Sequence, residues 1–172
     1  SNDITIFINA EDDDLAGHGC AHEGLVSTRL GLEGIPETAE TLAVSRKLML
    51  IEQTGVRAHF SQLSSARAVQ IIKRAQHDGL PVTADVSAHQ LHLTEMDIGY
   101  FDSNCHVLPP LRTQRDRDGL RKGLQEGTIS VICSDHQPHD RDAKLAPFGE
   151  TEPGIFALET LLPLSLRLVE DD

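Results

Sequence analysis

Four short apolar runs, "ITIFIN" at residues 4–9, "VRAHFSQL" at 56–63, "LPVTADVSA" at 80–88 and "TISVICSD" at 128–135, are separated by segments of helical character. The length and β-branched content of the first run predict a strand buried on both faces, and the other three read as further strands. The segment between the first two contains "IPETAETLAVSRKLMLIEQTG", an amphipathic helix with Thr38 as a candidate cap and Gly55 as its stop. "SARAVQIIKRAQHDG" is the helix between the second and third. A helix from about Asp116 to Gln125 leads through Gly127 into the fourth strand, and "GIFALETLLPLSLRLVE" closes the chain as an apolar helix that Pro163 should bend or break. Strands alternating with helices imply parallel pairing and right-handed crossovers, hence an α/β layer architecture, either an open doubly wound sheet or a (β/α) barrel.

The totals narrow what such a domain can do. The chain has 172 residues and a formal net charge of −12, with no basic stripe to neutralise phosphates, which argues against a nucleic-acid partner. No apolar run approaches the length of a membrane span, and nothing at the start resembles a signal peptide, so a soluble, cytoplasmic protein is expected. Three cysteines without paired spacing fit a reducing compartment. Ser1 and Asn2 look like a cloning remnant.

Both α/β architectures place their sites at the carboxyl ends of the strands. The first strand exits at Glu11 and Asp12, the second carries His59, the third leads to His89, and the fourth delivers Asp135, with His136 and His139 just beyond. Two histidines and two carboxylates from four separate strands form a candidate ligand set for zinc or another borderline divalent metal. Such a metal could polarise a carbonyl and generate hydroxide near neutral pH, with Asp135 as ligand, proton acceptor or both. Each residue has a plainer reading as well. His59 could be a hydrogen-bonded core histidine, Asp12 a capping or solvated carboxylate, and "PPLR" at 109–112 a rigid loop ending in a surface arginine.

The blocks "DGLPVTADVSAHQLHLTE", "HVLPPLRTQRDRDGLRKGLQEGTISVICSDHQPH" and "APFGETEPGIFALETLLPL", with "AEDDDLAGHGCAHEGLVSTRLGLEGIPETAETLAVSR" before them, resemble the second half of a dihydroorotase of the amidohydrolase superfamily. The resemblance is collinear over essentially the whole chain. It implies that residues 1–172 are part of a (β/α)8 TIM barrel, about strands 4–8, lacking the N-terminal strands. It also implies one or two zinc ions and reversible cyclisation of N-carbamoyl-L-aspartate to dihydroorotate in pyrimidine synthesis. By position, Asp12 falls where this branch has an aspartate ligand in place of a carbamylated lysine, His59 and His89 match histidine ligands, and Asp135 matches the aspartate that binds metal and shuttles the proton. His139 matches a substrate-contacting position, and Pro147, Phe148 and Gly149 match the loop lying against the bound ring.

Three departures accompany the resemblance. The family's His-x-His pair and its arginine are not in this stretch, so the chain alone is expected to be inactive. Asn9 stands where relatives often carry histidine, and Leu108 where many carry a substrate-contacting asparagine. A rival implication is a catalytically silent dihydroorotase-like partner of aspartate carbamoyltransferase. A hydantoinase- or allantoinase-like cyclic amidase is a third, which aspartate rather than lysine at position 12 disfavours. A homo-oligomer is expected.

Overall fold

A computed structural model describes residues 4–170; the supposed cloning remnant, Ser1 and Asn2, lies outside them. In chain order the elements are β1 (Thr5–Asn9), α1 (Asp13–Ala16), β2 (Ala21–His22), α2 (Leu25–Leu30), β3 (Gly34–Ile35), α3 (Glu37–Thr54), β4 (Arg57–Ser61), α4 (Ala66–His77), β5 (Val82–Ser87), α5 (Gln114–Gln125), β6 (Val131–Cys133) and α6 (Leu161–Glu170). Short 3-10 turns fill the segment between β5 and α5 and the loops after β6.

The four expected strands form one wholly parallel sheet in the order β1-β4-β5-β6, but β1 is not buried on both faces: it ends the strand order, and Thr5, Ile6, Phe7 and Asn9 are exposed. Parallel strands need crossovers, and α3, α4 and α5 supply them. The main core is aliphatic: Phe60, Ala84 and Val86 of the sheet pack with Val44, Leu48, Ile72 and Leu120 of the helices. The architecture is that of a partial barrel. A second, smaller cluster built on Cys20, Ile98, Val107, Leu111 and Phe148 lies under the loops at the strand exits.

Local chemistry explains the boundaries. Thr113 and Asp116 form a capping box, each side chain accepting from the other's backbone amide, so α5 starts two residues earlier than the apolar pattern indicates. Thr38 does not cap α3; Pro36 occupies that place, with an extended backbone and no side-chain bond to the helix. Pro163 neither bends nor breaks α6. It lies in the first turn, where its missing N–H has no intrahelical partner to lose, and the residues from Gly154 to Thr160 stay outside the helix.

Candidate functional site

Two strand exits carry a backbone strain that a long side chain rarely tolerates. Gln62, just past β4, and Asp135, just past β6, both have left-handed φ, 57° and 47°. Such residues cost of order 1–3 kcal/mol each and gather at functional sites. The two face each other: the Gln62 side-chain amide donates to Asp135 Oδ1, and Gln137 Nε2 donates to the same oxygen at 3.1 Å. Burial pushes the Asp135 carboxyl above the usual range. The Gln137 bond lowers it, the negative charge of Asp85 raises it further, and Gln62 lowers it again.

Below this mouth lies a second layer centred on Asp85, a carboxylate in the middle of β5. His59 Nε2 stands 2.9 Å from Asp85 Oδ2, the Gln62 backbone N–H donates to Asp85 Oδ1 at 2.6 Å, and the Cys133 thiol is 3.5 Å away. A carboxylate only accepts, so His59 Nε2 carries a proton, and Nδ1 lies 2.7 Å from the Thr83 hydroxyl. Phe7 packs against the ring, centroids 5.1 Å apart. Desolvation pushes the Cys133 thiol up to about 12, helped by Asp85, so it stays protonated.

The sequence-predicted ligands therefore do not converge as a set. Both ring nitrogens of His59 are engaged inside the sheet, with Thr83 and Asp85. Asp12 is the N-cap of α1, accepting from Leu15 N at 3.3 Å, and pairs with Arg46 at 3.4 Å. His89 is buried, with Nε2 3.1 Å from the Ser87 hydroxyl and 4.0 Å from Asp135 Oδ2, while its Nδ1 has no partner among the described residues. Only His89 and Asp135 come together. Among the described residues no three His, Cys, Asp or Glu side chains are placed to share a metal ion. A catalytic zinc takes three protein ligands, and of the expected set His89 and Asp135 are the two placed to supply part of one.

The expected substrate contacts are likewise dispersed. His139 is exposed and donates through Nε2 to the Pro153 carbonyl at 3.0 Å. Leu108 packs against Ala16, Ile35 and Ala39. Phe148 is buried, its ring tilted on His106 with centroids 5.0 Å apart, while Pro147 and Gly149 beside it are exposed. His136 has a structural assignment: its Nδ1 accepts from the backbone of Ala157 and Leu158, each at 3.1 Å.

The "AHEG" and "PPLR" sections meet in a buried ionic cluster. Arg112 is not a surface residue but 3% exposed. It donates from Nε to the Ser64 hydroxyl at 2.7 Å and from Nη1 to His22 Nδ1 at 3.0 Å, and lies 3.9 Å from Glu40. Glu40 in turn accepts from the backbone and hydroxyl of Ser64. Sequence reasoning missed Gln62, Asp85 and Glu40. A carboxylate within the apolar run "LPVTADVSA" was the available signal for Asp85.

A family model described as Dihydro-orotase-like matches residues 2–68. The chain is 59% identical over 169 residues to a "Dihydroorotase-like protein" of Pseudomonas putida and 54% identical to one of Pseudomonas aeruginosa, in each case with 98% of this chain aligned to 40% of the relative. It is 45% identical to a "Dihydroorotase" of Syntrophotalea carbinolica, again over 40% of that protein. The chain thus spans about 40% of the length of the curated relatives it matches. In fold it is similar to a D-hydantoinase from Thermus sp., with a TM-score of 0.82 at 21% identity, covering 98% of this chain and 39% of that one. It is also similar to the Saccharomyces cerevisiae dihydroorotase solved with 5-fluoroorotic acid, with a TM-score of 0.75 at 18% identity, covering 98% of this chain and 45% of that one.

Proposed function

We propose, from the premise that the chain belongs to the dihydroorotase-like family of cyclic amidohydrolases, that its full-length parent is a (β/α)8 barrel acting as a structural partner of aspartate carbamoyltransferase in cytoplasmic pyrimidine synthesis. One observation carries this reading. His59, expected as a ligand, spends both ring nitrogens on Thr83 and Asp85, and Asp12 spends its carboxylate on a helix cap and Arg46. Strand exits at which His59 and Asp12 are held by the protein's own hydrogen bonds suit a structural role, because these two groups are already engaged.

A second reading, reversible conversion of N-carbamoyl-L-aspartate and dihydroorotate, is favoured by the relatives named dihydroorotase and by Asp135. This half-buried carboxyl with a raised pKa, beside a His89 whose Nδ1 has no partner among the described residues, is the kind of group that accepts and returns a proton. In that reading Asp135 carries the proton, His139, Leu108 and Pro147–Gly149 approach the substrate, and residues outside this chain complete the site.

The two readings separate in one experiment on the full-length parent, assayed for dihydroorotate hydrolysis alone and for its effect on the assembly and activity of aspartate carbamoyltransferase. The structural reading expects no dihydroorotate turnover and a transcarbamoylase that needs the barrel to assemble. Turnover abolished by Asp135→Asn would replace it with the catalytic reading.

A further inference from the structure

The loop after β6 is organised around a single ammonium group. Lys144 Nζ lies 2.7 Å from the carbonyl oxygens of both Glu152 and Gly154, 3.1 Å from that of Ser103 and 3.5 Å from that of His106. An ammonium has three protons, so four carbonyls exceed its directional bonds. The arrangement is a ring of backbone dipoles around a compact cation, the same chemistry that replaces the hydration shell of a monovalent ion. Two stretches distant in sequence, 103–106 and 152–154, supply the ring. They meet elsewhere through Gly154 N donating to His106 O at 2.8 Å and through His106 Nδ1 and the Thr151 hydroxyl at 2.7 Å. Phe148 stacks on the same His106, so the turn carrying Pro147, Phe148 and Gly149 rides on this junction. Asp102 and Glu152 are the negative charges facing the ammonium, and the Cys105 thiol, pushed up to about 11 by burial, stays neutral beside it.

We infer that Lys144 is a positioning residue whose ammonium serves as a tethered monovalent cation, joining the 103–106 and 152–154 segments and thereby fixing the Pro147–Gly149 turn over the strand exits. The inference stands independently of whether the parent turns over dihydroorotate. Removing the side chain should leave a carbonyl-lined site that accepts a free ammonium or methylammonium ion.

The test is hydrogen exchange on the full-length parent. Lys144→Met keeps about the aliphatic volume and removes the ammonium, its charge and its N–H donors together. Amides of 103–107 and 148–155 are expected to lose protection together, by about tenfold or more, as befits loss of a charge-assisted hydrogen bond, while β4 and β5 remain unchanged. Lys144→Ala is expected to lose protection in the same two segments and to regain it in methylammonium chloride but not in sodium chloride at equal ionic strength. Unchanged protection in Lys144→Met would overturn the inference, and so would a loss in Lys144→Ala that methylammonium leaves uncorrected.

Discussion

Arg112 sets the chemistry of its neighbours because a guanidinium can only donate. Its bond to His22 Nδ1 forces the Nε2–H tautomer, and burial, then the Arg112 charge, lowers the His22 pKa to about 4. Stability follows with a definite sign. The unfolded histidine titrates near 6.5 and the folded one near 4, so acidification through that window adds protons to the unfolded state first and destabilises the fold. His22→Gln keeps an acceptor for Arg112 and removes the titration. The stability advantage of wild type over His22→Gln should therefore shrink by about 2 kcal/mol between pH 7.5 and pH 5, measured by urea unfolding at each pH. A difference that does not vary with pH would contradict the tautomer. In the same cluster, Arg112→Met leaves Glu40 buried without its cation and should cost about 3–5 kcal/mol in the same assay.

At the scale of elements, the packing of α4 against α5 depends on two glycines of α5. A Cβ at Gly119 would stand 2.4 Å from the Ala66 Cβ, and one at Gly123 would stand 2.6 Å from Val69 Cγ1. Gly119→Ala should raise intrinsic helicity yet destabilise the protein by about 1–3 kcal/mol, because α5 has to move off α4. A higher melting temperature in this variant would contradict the close approach. The elements themselves were readable from periodicity: all four strands of the sheet and the helices α3, α4, α5 and α6 fall in the expected segments. Their ends were less so, since caps are decided by single side-chain bonds. The capping box of Thr113 and Asp116 was written in the sequence but not used, and Pro163 acts according to its place in the helix rather than its mere presence.

For the whole molecule, the partial barrel was legible because alternation and a collinear resemblance point the same way, and the fold is similar to that of the solved hydantoinase and dihydroorotase. The site was legible only in outline. A strand exit fixes where a residue emerges, not what its side chain bonds to; Asp135 and His89 emerge together, whereas His59 is drawn inward by Asp85 and Asp12 is turned aside to α1. Gln62 was invisible to a search for ligand-type residues, although it is the group that holds Asp135. The central proposal, that His59 and Asp12 serve the protein's own hydrogen bonds rather than a metal, is tested most directly by titrating zinc calorimetrically into the metal-free full-length parent. The account predicts no stoichiometric binding that depends on Asp135. One equivalent of tightly bound zinc, lost in Asp135→Asn, would contradict it.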